Sequence, residues 1–142
     1  MKMEAVMDMA QAREFILKNH RAVMMTYRKD GRPQLSPILI GLDGEGYGIV
    51  SSRETAYKVR NLRRDPRVSI CVFNDKFYGR WIQVDGTAEI ISMPDALEPL
   101  VDYYKRVVGE HPDWEEYREA MGKEKRVLIR VKLERAGPTK SG

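Results

Sequence analysis

The chain has 142 residues, 42% hydrophobic and 32% charged, with a formal net charge of +4. That length builds one domain with a real core and excludes two, and the composition is that of an ordinary globular protein. The mild basic excess suits an anionic ligand without calling for nucleic acid, and the single cysteine, Cys71, excludes an internal disulfide.

No apolar run approaches the ~18 residues of a membrane span. Glu4, Asp8, Arg13 and Glu14 interrupt the first twenty residues, so no signal peptide is expected and the expected compartment is the cytoplasm.

Residues 8–19 carry Met9, Ala12, Phe15 and Ile16 at helical spacing. Residues 22–27 read as a strand. Asp30-Gly31 predicts a type I′ hairpin turn into a return strand over 33–42. Pro33 and Pro37 donate no backbone hydrogen bond, which makes that strand an edge or an irregular one. Asp43-Gly44-Glu45-Gly46 turns the chain into a third strand, 47–51.

Residues 54–65 predict a helix with Ala56, Val59 and Leu62 on one side, stopped by Pro66. A strand over 68–73 and a long strand over 81–91 follow, with a bend or bulge at Asp85-Gly86. Pro94 opens a helix with Leu97, Leu100, Val101, Tyr104, Val107 and Val108 as its apolar stripe. His111-Pro112-Asp113 ends it, and 114–121 form a shorter helix. Residues 127–133 alternate as a last strand.

These elements predict a mainly β fold with peripheral helices, a closed or split barrel of antiparallel strands. The expected organisation is a single domain over 1–134 and a flexible tail over 135–142.

Catalytic signatures are sparse. His20 and His111 are far apart and lack partners at ligand spacing, so no metal site is expected. No nucleophile elbow, zinc-protease helix or phosphate-binding P-loop is present. Asp113, Glu115 and Glu116 suit a helix N-terminus. Cys71, among apolar strand residues, reads as an inert thiol.

The basic run Lys58-Val59-Arg60-Asn61-Leu62-Arg63-Arg64-Asp65-Pro66-Arg67 admits three readings. It is a solvated helix face, a nucleic-acid contact or a phosphate site. Interleaved aromatics are missing, which counts against nucleic acid. Ser51-Ser52, a few residues upstream, could join Lys58 around a phosphate. Gln34 and Ser36 alternate on the second strand and face either solvent or a ligand. Tyr78-Gly79-Arg80-Trp81 is either core or a wall for a planar ring, contributed across a dimer interface.

Four segments in register carry a wider resemblance: residues 30–36, 58–67, 109–121 and 125–128. They include Gly109-Glu110-His111-Pro112-Asp113-Trp114 and Lys125-Arg126-Val127-Leu128. Together they resemble the flavin/deazaflavin oxidoreductases, pyridoxamine-phosphate-oxidase-like, of the F420-dependent type found in actinobacteria.

The resemblance implies an FMN-binding-like split β-barrel, homodimeric, with two cofactor sites at the subunit interface. It implies coenzyme F420 in preference to FMN, and hydride transfer to a conjugated small molecule, with neither nucleic acid nor membrane as partner. By matching position, Lys58 would bind the cofactor phosphate beside Ser51 and Ser52. Arg60 and Arg64 would add positive field for the tail, and Gln34 and Ser36 would lie along the ring edge. Trp81 and Arg126 would approach from the partner or the barrel mouth. No catalytic residue is assigned.

Where some relatives carry an arginine this chain has Glu54-Thr55-Ala56-Tyr57, so one phosphate contact is expected to be missing. It also lacks the C-terminal segment with which pyridoxamine phosphate oxidases grip substrate, so vitamin B6 oxidation is not expected. The alternatives are an FMN-binding oxidoreductase of the same fold and a non-catalytic F420 carrier.

Overall fold

In chain order the elements are α1 (Met9–Lys18), β1 (Arg21–Tyr27), β2 (Pro33–Leu39), β3 (Gly41–Leu42), β4 (Gly48–Arg53) and α2 (Tyr57–Arg64). They continue with β5 (Arg67–Phe73), β6 (Arg80–Ile91), α3 (Leu97–Val107), α4 (Trp114–Lys123) and β7 (Arg126–Ser141). The structure, a computed structural model, describes residues 7–141. Residues 1–6 and Gly142, the outer ends of the expected domain and tail, lie outside the described residues.

The strands form one sheet in the order β2-β1-β5-β6-β7-β4-β3, and every neighbouring pair is antiparallel. The sheet curls until β2 approaches β4. The fold is therefore the split barrel the sequence predicts, with helices outside.

Period-2 alternation builds the interior. Ala22, Met24 and Thr26 of β1, Val68, Ile70 and Val72 of β5, and Ile82 and Val84 of β6 all point inward. Each large apolar side chain so buried stabilises by about 1.5–3 kcal/mol. α1 closes the barrel with Ala12, Phe15 and Ile16. α3 and α4 form a second layer outside β4 and β7, joining Leu100, Val101 and Met121 to Ile49 and Leu128.

Several expectations are corrected. The Asp30-Gly31 turn is not type I′, because only Gly31 has positive φ, at 88°. The Gly31 N–H donates to the Arg28 carbonyl at 2.9 Å and the Arg28 N–H to the Arg32 carbonyl at 2.8 Å. This is a three-residue loop whose last residue takes the left-handed conformation, so Asp30 is spared it.

The expected strand over 33–42 breaks at Ile40. β2 pairs with β1, whereas β3 crosses to pair with β4 at the other end of the sheet. The edge position forecast from Pro33 and Pro37 is observed. The bulge at Asp85/Gly86 is also present, and a Cβ on Gly86 would run into the Lys132 carbonyl.

α2 starts at Tyr57, since Ala56 is extended at ψ 143°. Glu54 is diverted before it, its backbone N–H donating to the Lys125 carbonyl at 3.0 Å. α3 starts at Leu97. Leu100 and Val101 of the expected stripe are buried, and Leu97, Tyr104 and Val107 pack half-buried beside them, but Tyr103 is buried as well and Val108 is exposed. Lastly, the expected tail is a strand as far as Ser141. Its residues pair with the first half of β6, from Asp85↔Arg135 to Arg80↔Ser141, a half that would otherwise have a partner on one side alone.

Candidate functional site

α2 presents residues to two cavities. Val59 and Leu62 are buried against the barrel, and the remaining positions diverge around them. Lys58 turns toward one cavity. Tyr57, Arg60 and Arg64, spaced three and four apart, line another.

The first cavity, about 550 Å³, sits where β2 and β4 part. It gathers Ser51, Lys58 and Arg126, three of the residues marked in the sequence, with Arg21 at the start of β1. Ile38, Phe73 and Tyr103 supply apolar wall. Among the described residues, no carboxylate lines it. Arg126 reaches it by being the first residue of β7, opposite Arg53 of β4, and its guanidinium also pairs with exposed Glu124 at 3.2 Å.

Lys58 is half-buried and, among the described residues, has no hydrogen-bond or ion-pair partner. Burial alone lowers the pKa of its ammonium below the usual lysine value. An unpaired cation in such a setting costs free energy until an anion joins it.

The second cavity, about 470 Å³, holds Arg28, Lys29, Arg60 and Arg64 around Gln34 and Asn61, again with no carboxylate in its lining. Its floor is a polar network. Asn61 Nδ2 donates to Thr26 Oγ1 at 3.1 Å and Gln34 Oε1 at 3.4 Å. Arg64 Nη2 donates to Asn61 Oδ1 at 3.0 Å and to the Tyr27 carbonyl at 2.9 Å.

The sequence-marked residues therefore divide. Ser51, Lys58 and Arg126 share the first cavity; Gln34, Arg60 and Arg64 share the second. Ser52 lies outside both, buried on the core side of β4 with Val50. Ser36, between Gln34 and Ile38 on the inner side of β2, has a buried hydroxyl oxygen with no partner among the described residues. Trp81 is half-buried on β6, and its cross-strand neighbour Phe73 lines the first cavity.

Sequence reasoning missed Arg21, Phe73 and Tyr103. The adjacent tyrosines of α3 were the signal for the last, but the helical stripe favours Tyr104. Tyr104 instead packs against Trp114, Tyr117 and His111, at centroid distances of 5.7, 5.1 and 5.2 Å. Among the described residues, no group of His, Cys, Asp or Glu is placed to hold a metal ion, and no helix is long and apolar enough to cross a membrane.

Residues 9–140 match the family model described as pyridoxamine 5'-phosphate oxidase. The chain belongs to that family.

Solved structures share its fold. The conserved hypothetical protein Rv2991 from Mycobacterium tuberculosis is 27% identical with a TM-score of 0.76, the match covering 99% of this chain and 88% of that one. An F420 reductase is 21% identical with a TM-score of 0.68, covering 87% and 94%. HutZ, the heme storage protein of Vibrio cholerae, is 21% identical with a TM-score of 0.71, covering 94% and 95%. The last two are likenesses of fold. Within the pyridoxamine 5'-phosphate oxidase family, the barrel seam of this chain is thus a basic cavity with an apolar wall.

Proposed function

We propose that this member of the pyridoxamine 5'-phosphate oxidase family is an oxidoreductase that uses coenzyme F420 and works as a homodimer. The observation that carries the reading is Lys58, half-buried, unpaired and facing a cavity with Ser51 and Arg126 but no acid.

The residues fit a planar cofactor bearing a phosphate. Lys58 and Arg126 would neutralise the phosphate, and Ser51 would hydrogen-bond it. No side chain caps the N-terminus of α2, and the Val59 amide is bonded to the Ala56 carbonyl, so the Tyr57 and Lys58 amides are the ones that can add to the same anion site. The unpartnered Ser36 hydroxyl lies on β2 between the two cavities and would meet a polar ring edge. Gln34 stands next to it. Arg60 and Arg64 would hold the anionic tail. Reduced F420, when bound, supplies a hydride to a conjugated small-molecule acceptor. The chain's own residues bind, orient and keep water out; none is assigned as a proton donor.

The outer face of the sheet supports a second copy as partner. Pro37, Val23 and Cys71 align across β2, β1 and β5, with Leu35, Met25 and Ser69 in the next row. Leu35 is 64% and Leu39 43% exposed, an apolar strip larger than isolated surface residues account for. Pro37 and Leu39 also line the first cavity, so a partner seated here would complete the site, bringing Trp81 and Phe73 near the subunit boundary.

Titration of the cofactor-free protein with F420 and with FMN, followed by fluorescence, tests the reading. Tighter F420 binding, with turnover of a conjugated acceptor by the reduced cofactor, is the expected result. Preference for FMN would move the protein to the flavin alternative. F420 binding without turnover of any acceptor would leave a carrier.

A further inference from the structure

Tyr103 is the one group of the outer helical layer that enters the first cavity. Its hydroxyl donates to the Leu39 carbonyl at 2.8 Å, and the Ser51 backbone approaches the same oxygen from β4, working against the burial that raises the phenol's pKa. Leu39 ends β2 and Ser51 lies in β4, so one phenol spans the seam of the barrel.

Among the described residues, that seam has no strand-to-strand rungs. β2 pairs with β1 alone, and β3, the outer neighbour of β4, is two residues long and reaches only Gly48 and Ile49. Beyond it, the free edges of β2 and β4 face each other beneath α3. Backbone groups at a buried edge need partners; Tyr103 supplies one to the Leu39 carbonyl of β2 and sets the same oxygen before the Ser51 backbone of β4. Leu39 and Ser51, the two residues it ties, both line the cavity that holds Lys58 and Arg126.

We infer that Tyr103 is a positioning residue for the anion cradle: its hydroxyl replaces the missing rung between β2 and β4 and fixes the Ser51 backbone opposite Lys58 and Arg126. The phenol acts through Ser51. It sets the width of the gap in which an anion sits and keeps the two edges from pairing directly and closing it. The inference rests on the proposed reading of this cavity as an anion site, and not on F420 being the cofactor.

The test compares Tyr103→Phe with Tyr117→Phe. Tyr117 is a buried phenol of the same helical layer, donating to the Leu100 carbonyl at 3.0 Å, and it does not line the cavity. The two variants lose similar hydrogen bonds, and a merely structural role weakens both alike. Binding is read with inorganic phosphate, as protection against thermal unfolding, and with F420 by fluorescence. We expect Tyr117→Phe to keep wild-type phosphate protection and Tyr103→Phe to lose about tenfold in affinity, the scale of one displaced hydrogen-bond donor.

Equal effects in the two variants, or none in either, overturn the inference. So does wild-type protein that phosphate does not protect. If phosphate protects as expected while F420 fails to bind, the cofactor reading falls and the role of Tyr103 stands. Should Tyr103→Phe not fold, 3-fluorotyrosine at position 103 keeps ring and hydroxyl but makes the oxygen a weaker acceptor from Ser51. A several-fold loss of phosphate affinity then supports the inference, and unchanged affinity overturns it.

Discussion

Asn61 donates its side-chain amide to Thr26 Oγ1 at 3.1 Å, joining α2 to β1 across 35 residues of chain. Both residues are buried, Asn61 at 6% and Thr26 at 0% exposure. Arg64 covers the pair from the solvent side. The second cavity is therefore floored by a satisfied network, and Gln34 belongs to it.

Asn61→Leu is expected to destabilise the fold by about 1–3 kcal/mol, because it removes the donor to the buried Thr26 oxygen, leaving that hydroxyl only its 3.3 Å bond to Gln34 Oε1, and takes an acceptor from Arg64. Chemical denaturation measures this. A loss below ~0.5 kcal/mol would show that the network adds nothing to the docking of α2.

Lys58→Ala is expected to cost F420 affinity about 100-fold, since a charge-assisted contact contributes roughly 1.5–3 kcal/mol. The variant should unfold no earlier than wild type in the absence of ligand, because it removes an unpaired, half-buried charge. Binding also has a pH sign. The folded pKa of Lys58 is lowered from 10.5, so the cationic form that holds an anion is lost as pH rises through that lowered value. Wild-type phosphate affinity should fall at alkaline pH more steeply than that of Lys58→Arg. Parallel curves for the two proteins would remove Lys58 from the site.

Asp43 governs a separate acid sensitivity. Burial opposes its ionisation, but a 2.7 Å hydrogen bond from Arg130 and bonds from the Tyr47 and Glu45 backbone outweigh burial and lower its pKa below 3.8. A carboxylate with a depressed folded pKa stabilises the fold above its unfolded value, and that contribution disappears as pH falls through the folded one. Asp43→Asn should be less stable than wild type at pH 7, with the gap narrowing as pH drops below about 4, near the carboxylate reference value. Thermal melts along that series check it; a gap constant with pH would mean that Asp43 acts by shape and not by charge.

Leu35→Asp, in the middle of the exposed strip, is expected to convert a dimer to monomer. The Leu35 side chain is exposed and outside the core clusters, so the far-ultraviolet circular dichroism should be retained. Sedimentation velocity distinguishes the species. If wild type itself sediments as a monomer, the homodimer proposal is wrong.

The strand and helix inventory was legible in the sequence because it rests on local periodicity. Inward positions two apart in β1, β5 and β6 and the Ala56–Val59–Leu62 side of α2 register burial directly. So did the edge character of β2, because proline removes a donor wherever it stands. The strand after Leu133 was not legible: nothing in its own residues is apolar-periodic, and it forms because β6 offers it a ladder. For the same reason Tyr103 was passed over in favour of Tyr104. A helical wheel cannot tell a helix packed on one surface from one wedged between a barrel seam and α4.

The sequence by itself determined most of the elements, the family and the basic character of α2, since these depend on residue type and on spacing along a few turns. Only the tertiary structure decided which cations meet. Lys58 and Arg60 are two residues apart on a helix and face different cavities, whereas Lys58 and Arg126 are distant in the chain and share one. Curling the sheet until β2 meets β4 makes that neighbourhood, and curvature is a property of all seven strands together.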